Sequence, residues 1–187
     1  MEKNKNSVVE TVTHTLGVFQ EQVDYMNKIV SDLQDIARNI VVEWRETNFK
    51  PYIEEIMGSI TRPYNIKLNL KLSPSLPNVK LDQGLMKRVL TNLLNNAVQA
   101  MEKLSGDIWL TADVEGGKFV VRISDEGTGI PENVQATLFQ PLVTSKAKGM
   151  GMGLSVCKRI VEAHGGELSL ENNLKKGATA IIKLPLK

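Results

Sequence analysis

The stretch NLLNNA, residues 92–97, lies inside a strongly apolar segment and places Asn92 and Asn96 four residues apart. In an α-helix that spacing puts both side chains on one face, one turn above the other. An amide in an apolar helix needs hydrogen-bond partners. It faces solvent, caps a neighbouring loop, or offers its carboxamide oxygen to a hard cation such as Mg²⁺. The spacing makes Asn96, assisted by Asn92, a candidate Mg²⁺ ligand and leaves the other two interpretations open.

Patterns on either side of this segment predict the remaining elements of residues 48–187. Asp82 is a suitable N-cap for the helix that contains the two asparagines and runs to Met101. Further helices are predicted at 49–60 and 153–163, and strands near 66–72, 108–114, 118–124, 167–171 and 178–184. This order predicts an α/β fold with helices layered on one face of a mixed or antiparallel sheet.

A second motif, SDEGTGIP at residues 124–131, follows directly after a predicted strand. Its glycines allow a sharp turn and a close approach of the backbone to a flat ligand. At the end of that strand, Asp125 is placed to accept a hydrogen bond from an exocyclic amine such as N6 of adenine. The alternative is an ordinary tight turn with an acidic surface residue, and the motif alone does not decide between them.

Two further motifs are candidates for binding phosphate groups. The segment LFQPLVTSK, residues 138–146, offers Thr144 and Lys146 to phosphate oxygens, although it also suits a loop packed against the domain. The segment GMGMGL, residues 149–154, precedes a helix, and its backbone N–H groups suit a phosphate cradle better than a flexible linker. It has neither the dinucleotide-binding spacing nor the Walker lysine, so neither of those nucleotide folds is predicted.

Taken in order, the four motifs resemble the N box, first glycine box, F box and second glycine box of histidine kinase catalytic domains. These domains belong to the GHKL ATPase superfamily. The resemblance covers residues 48–187, and residues 138–166 are especially similar to nitrogen-regulation-type sensor kinases. It implies a two-layer α/β sandwich of the Bergerat type, a mixed sheet packed on helices, with ATP held between the helical layer and a lid.

The resemblance also implies a set of site residues and two cofactors, ATP and Mg²⁺. Asn96 would hold the metal, and Asn92 and Lys146 would share the catalytic role with it. The nucleotide-binding set comprises Asn92, Asn96, Asp125, Gly127, Gly129, Ile130, Thr144, Lys146, Gly149, Gly151, Gly153 and Leu154.

Residues 1–47 are expected to form a separate region dominated by one long helix over residues 7 to about 43. Apolar residues recur at alternating spacings of three and four from residue 9 to residue 40. A helix with such an apolar stripe requires a partner helix, from its own chain or from a second copy. This helix resembles the second helix of the dimerisation and phosphotransfer hairpin of histidine kinases. The stripe consists of Val9, Val12, Leu16, Phe19, Val23, Met26, Val30, Leu33, Ala37 and Ile40.

The two histidines do not match the phosphate acceptor of the family. His14 lacks the acidic neighbour and the nearby proline that the family's acceptor has, so the sequence favours a solvated surface histidine there. His164 precedes Gly165 and Gly166 at a predicted helix end, where a structural cap is expected. The phosphoacceptor is therefore unknown. The chain is expected to be a fragment that begins inside the hairpin, binds ATP and phosphorylates itself poorly or not at all.

The implied function is γ-phosphoryl transfer from ATP to a histidine and then to a response regulator receiver domain. Three alternatives are weighed: a GHKL serine kinase of the anti-sigma type, a non-catalytic nucleotide-switched module, and a mechanical ATPase of the gyrase type. The long helix argues against the first and the intact motifs against the second. The third needs a glutamate near the N box, where the residue before Asn96 is Asn95.

Composition limits the partners and the location. The 187 residues carry a net charge of +2 without a basic stripe, which gives no reason to expect nucleic acid. The single cysteine, Cys157, fits a buried inert thiol. We expect no membrane contact by this chain and a cytoplasmic location, because no signal peptide or spanning segment is apparent, although the parent protein can be membrane-bound.

Overall fold

The computed structural model describes residues 12, 15–20, 22–23, 26–27, 30, 40–101, 104–140 and 152–186. Its contacts divide the chain into two units, residues 1–39 and 40–187. The sequence predicted this boundary at 47/48. The structure includes residues 40–47 in the second unit, where Arg45–Thr47 (β1) pairs with Val79–Leu81 (β3). Neither strand was predicted, because three residues are too few to show an alternating pattern.

The described residues of the first unit are all helical, and their side chains are exposed. The predicted end of the helix near residue 43 is wrong, since residues 40–44 are neither helix nor strand. The backbone there takes other partners: the N–H of Glu43 donates to Oδ2 of Asp82 over 2.9 Å. The predicted helix is helical at its described residues 12, 15–20, 22–23, 26–27 and 30, and its other positions up to residue 39 lie outside the described part of the chain. Within the described part of the chain, no helix has the length and apolar character needed to span a bilayer.

The second unit is built on a five-stranded mixed sheet with the order β2-β4-β5-β7-β6. β2 and β4 are parallel, and every other neighbouring pair is antiparallel. A parallel pair requires a crossover connection, which β3 and a long helix supply here. The predicted mixed sheet is confirmed. Its strands are Ile66–Leu72 (β2), Gly106–Glu115 (β4), Lys118–Asp125 (β5), Glu167–Asn172 (β6) and Ala178–Pro185 (β7).

Among the described residues, three helices cover one face of this sheet, as predicted: Phe49–Gly58 (α1), Gln83–Ala100 (α2) and Gly153–Ala163 (α4). A one-turn helix, Glu132–Gln135 (α3), lies between β5 and α4 in the chain and buries none of its residues. The one-turn helix α3 was not predicted. The expected N-cap of α2 is confirmed, since Oδ1 of Asp82 accepts from the N–H of Leu85 over 3.0 Å. Gly116 and Gly117 make the turn between β4 and β5, with φ of 56° and 74°.

The core lies between the sheet and helices α1, α2 and α4. Alternate residues of β4, Ile108 and Leu110, are fully buried, and so are Leu90 and Leu94 on α2. Each such side chain contributes about 1.5–3 kcal/mol by leaving water. This packing fixes the faces of α2 and α4 that remain for a ligand, because each helix presents its apolar side to the sheet.

His164 ties the end of α4 to the start of α2. The side chain is fully buried, and its Nε2 accepts from the N–H of Asp82 over 3.1 Å. Nδ1 therefore carries the proton and donates to the carbonyl of Ile160 over 2.7 Å. The ring also meets the edge of Trp44, with centroids 5.3 Å apart. These contacts agree with the expected structural role for His164.

Candidate nucleotide site

One face of α2 carries the two asparagines that the sequence singled out. Nδ2 of Asn96 donates to Oδ1 of Asn92 over 3.0 Å, and both side chains are half-buried. A carboxamide is planar and has its oxygen and nitrogen on opposite sides, so this bond directs Oδ1 of Asn96 away from Asn92. Asn95 lies on the exposed side of the same helix. The predicted sharing of one face by Asn92 and Asn96 is confirmed.

The first residue of α4, Gly153, packs directly against Asn92. A Cβ on Gly153 would lie 2.6 Å from Nδ2 and 3.0 Å from Oδ1 of Asn92, so only glycine allows this approach. The N-cap of α4, Met152, makes no side-chain capping bond. The first N–H groups of the helix therefore stand next to the asparagine pair, where a helix N-terminus favours anions. Leu154 follows as the second residue of α4.

Four predicted site residues lie outside the described part of the chain. They are Thr144, Lys146, Gly149 and Gly151, and His14 does so as well. Their predicted roles stay predictions.

Asp125 is the last residue of β5, and its side chain is 8% exposed. Its Oδ1 accepts from the N–H of Gly127 over 2.8 Å and from the N–H of Ala178 over 3.3 Å. Burial raises the pKa of this carboxyl, and the two hydrogen bonds offset only part of the rise. Among the described residues none donates to Oδ2. One carboxylate oxygen is thus fixed by the backbone while the other is left for a ligand.

Gly127 joins the end of β5 to α2. A Cβ on Gly127 would lie 2.8 Å from both Cβ and O of Ala100, which is four residues beyond Asn96. With a rise of 1.5 Å per residue, the eight residues from Asn92 to Ala100 span about 12 Å of helix. One face of α2 therefore has Asn92, beside the N-terminus of α4, at one end and Ala100, beside the Asp125 turn, at the other.

The turn between β6 and β7 supports Asp125, and no sequence motif indicated this support. Nδ2 of Asn173 donates to the carbonyl of Asp125 over 2.9 Å, and Oδ1 of Asn173 accepts from the hydroxyl of Thr179 over 2.6 Å. The Thr179 hydroxyl also lies 2.7 Å from that of Ser124. Gly177, at φ of 81°, packs against the backbone of Asp125 so closely that a side chain has no room. These residues form a second layer behind the carboxylate.

Asn172 holds the other end of the motif at residues 124–131. Its side chain accepts from the N–H of Ile130 and donates to the carbonyl of Ile130. The predicted residues Gly127, Gly129 and Ile130 therefore lie between two supports, the Asp125 carboxylate and the Asn172 amide. Asn172, Asn173, Gly177 and Thr179 had no motif signal, because their contacts arise only when β6 and β7 pair.

Comparison with known proteins identifies the domain that carries this geometry. Residues 81–187, more than half of the chain, match the family described as histidine kinase-, DNA gyrase B-, and HSP90-like ATPase. The chain belongs to this ATPase family. The predicted resemblance to the catalytic domain of sensor histidine kinases is confirmed, and with it the α/β sandwich.

Among relatives of this ATPase domain, sporulation kinase D of Bacillus subtilis (strain 168) is 30% identical over 174 residues. The match covers 91% of this chain and 34% of that protein, so the chain spans about a third of this relative.

Two solved structures resemble this ATPase chain. Full-length ShkA in complex with AMPPNP superimposes with a TM-score of 0.78 at 25% identity, covering 89% of this chain and 37% of that one. Histidine kinase ThkA in complex with the response regulator protein TrrA gives a TM-score of 0.76 at 26% identity, covering 91% of this chain and 50% of that one.

Proposed function

We propose that this domain binds Mg²⁺-ATP along the face of α2 and serves as the catalytic part of a two-component sensor histidine kinase. The observation that carries the proposal is the carboxylate of Asp125. It is nearly buried, one of its oxygens is held by two backbone N–H groups, and the other accepts no hydrogen bond from a described residue. Such an acceptor suits the N6 amine of adenine and rejects the carbonyl oxygen that guanine has at that position.

The opposite end of the face suits the phosphates and the metal. Asn92 and Asn96 offer neutral carboxamide oxygens, which fit a hard cation that keeps several waters and is shared with phosphates. Gly153 lets the Asn92 carboxamide approach the N-terminus of α4 closely, because a Cβ there would collide with it. When bound, Mg²⁺ would neutralise phosphate charge during transfer.

This chain's own residues contribute mainly position to the reaction. Asp125 would orient the base, Asn96 and Asn92 would hold the metal, and the N–H groups at the start of α4 would stabilise the negative charge on the phosphates. Thr144, Lys146, Gly149 and Gly151 are proposed to complete the phosphate side.

The phosphoryl group is proposed to go to a histidine and then to an aspartate of a receiver domain. His164 does not fit the acceptor role, because it is fully buried and both ring nitrogens are hydrogen-bonded. A receiver domain as the next partner is supported by ThkA, whose structure was solved in complex with a response regulator.

The first unit is proposed to pair with a partner helix or a second copy through residues 9–40. Support comes from the described stripe residues between positions 12 and 30, which are 44–66% exposed in the single chain. A match over 91% of the chain with a sporulation kinase must include most of this region, which argues against a serine kinase that lacks such a helix. The cytoplasm is the proposed location.

Calorimetric titration with ADP and ATP, with and without Mg²⁺, tests the proposal on the intact chain, on Asp125→Asn and on Asp113→Asn. In Asp125→Asn, the new carboxamide keeps an oxygen for the two backbone N–H groups but turns an N–H₂ toward the adenine amine. We expect Mg²⁺-dependent binding that weakens at least about tenfold in Asp125→Asn, equivalent to about 1.4 kcal/mol.

The control carboxylate Asp113 lies on the same sheet, is exposed and bonds only to the neighbouring Val114 N–H among the described residues. Asp113→Asn should bind like the unmodified chain. Absence of nucleotide binding in the unmodified chain would refute the proposed function. Equal affinity in all three proteins would refute the role of Asp125 in binding the base.

A further inference from the structure

The side chain of Asn172 bonds to both backbone groups of a residue 42 positions away. Its Oδ1 accepts from the N–H of Ile130 over 2.6 Å, and its Nδ2 donates to the carbonyl of Ile130 over 2.9 Å. A carboxamide presents one acceptor and one donor in a single plane, as a neighbouring strand does. The Asn172 side chain thus bonds to Ile130 as the backbone of a neighbouring strand would, although Ile130 lies in a loop.

The same contact leaves no room for a side chain at Gly129. This residue has φ of 74°, and a Cβ there would lie 2.9 Å from Oδ1 of Asn172 and 3.4 Å from the carbonyl oxygen of Gly177. The left-handed backbone of Gly129 turns the chain so that both backbone groups of Ile130 face Asn172. The conformation of the loop and the Asn172 amide therefore depend on each other.

Asn172 and the support of Asp125 belong to one pair of opposed residues in the sheet. Asn172, the last residue of β6, faces Ala178 on β7. The N–H of Ala178 donates to Oδ1 of Asp125. One rung of the β6–β7 ladder consequently holds the carboxylate at one end of residues 125–130 and, through the Asn172 amide, Ile130 at the other.

We propose that Asn172 is a positioning residue for base recognition. It holds Ile130 so that residues 127–130, which would line the adenine site beside Asp125, keep their conformation. The inference rests on the proposed nucleotide function. It assigns to Asn172 a share of the nucleotide affinity that comes from recognition of the adenine base. The phosphate side is built from α2 and α4, since Asn96 bonds to Asn92 and Gly153 packs against the Asn92 side chain.

The test is a displacement assay with ribose-labelled fluorescent ADP and Mg²⁺, using ADP, GDP and inorganic pyrophosphate as competitors. Asn172→Ala is compared with Asn65→Ala as a matched control. Asn65 lies in the α1–β2 connection, and its Nδ2 also donates to a distant carbonyl, that of Leu104, over 2.8 Å. Both variants lose a side chain–backbone hydrogen bond of similar length, but only Asn172 bonds to the loop at residues 127–130.

In Asn172→Ala we expect the inhibition constant of ADP to rise about five- to tenfold and the preference for ADP over GDP to narrow by the same factor. Displacement by pyrophosphate should change less than about twofold, and Asn65→Ala should match the unmodified chain in all three competitions. A thermal unfolding curve of each variant confirms that the compared proteins are folded, and Asn172→Ser replaces Asn172→Ala if the latter is not.

Unchanged ADP displacement in a folded Asn172 variant would overturn the inference. Equal weakening of ADP and pyrophosphate would overturn it as well, because that result means a general loss of structure. The proposed function is judged separately by Asp125→Asn: if that variant loses ADP and the Asn172 variant does not, only the role of Asn172 fails.

Discussion

The two ends of the α2 face are held by different contacts. We call the end with Asn92, Asn96 and Gly153 the phosphate end and the end with Asp125 the base end. At the phosphate end, Asn92 and Asn96 are one turn apart on α2, and the packing of α4 brings Gly153 against the end of the Asn92 side chain. The base end depends on strand register, since Asp125 is supported by Ala178 and Asn173, 53 and 48 residues further along the chain. We infer that changes at the base end affect folding and binding together, whereas changes at the phosphate end affect mainly binding.

The largest effect is expected from Gly177→Ala, at the base end. The substitution forces a non-glycine residue to φ of 81° and places its Cβ 2.6 Å from the carbonyl carbon of Asp125. We expect the free energy of unfolding to fall by about 3 kcal/mol, measured by urea titration, with loss of ADP binding.

Gly117→Ala is the control for backbone strain alone, because Gly117 has φ of 74° and nothing within 4 Å of an added Cβ. It should cost only about 1 kcal/mol. Equal losses in the two variants would show that the Asp125 turn is not tightly packed, and the comparison would lose its structural basis.

We expect the affinity for ADP to depend on pH through the protonation of the Asp125 carboxylate at the base end. Burial raises the pKa of Asp125, so this group takes up its proton at a higher pH than an ordinary aspartate does. Affinity should be retained above that pKa and lost as pH falls through it, by up to about tenfold per unit, because the neutral carboxyl is a poor acceptor.

Calorimetry over a pH series on the unmodified chain and on Asp125→Asn separates this titration from that of the ADP phosphates, which both proteins share. A parallel decline of affinity in the two proteins would contradict the assignment of the titration to Asp125.

The smallest effect on stability is expected at the phosphate end, from Gly153→Ala. The added Cβ displaces the end of the flexible Asn92 side chain and no backbone atom, so the free energy of unfolding should change by less than about 1 kcal/mol. Because Asn92 then no longer bonds to Asn96 in the same geometry, we expect Mg²⁺-dependent ADP affinity to fall about fivefold by calorimetry.

Gly84→Ala, near the start of α2, serves as the matched glycine variant. Its Cβ would meet only Oδ1 of Asp82 at 3.4 Å, an ordinary contact. Binding should be unaffected there. A loss of stability in Gly153→Ala as large as in Gly177→Ala would erase the distinction between the two ends.

The structural placements that the sequence predicted correctly are those with a short repeat or a strand pattern. Asn92 and Asn96 share a helix face because 3.6 residues complete a turn, and Asp125 follows directly after an alternating strand. The helix end near residue 43 was predicted wrongly, because the apolar spacing continues to Ile40 while residues 40–44 are not helical and the N–H of Glu43 bonds to Asp82. Periodicity does not record which contacts the backbone prefers.

By itself, the sequence determined the family, the mixed α/β sandwich and the positions of Asn92, Asn96, Asp125 and Gly153, since each depends on residues close in the chain. Only the tertiary structure decided which groups hold these residues in place. The supports of Asp125 and Ile130 come from the paired strands β6 and β7, and a change of register by one residue would turn their side chains to the other face. Such long-range pairing is set by the packing of the whole sheet, which no local pattern encodes.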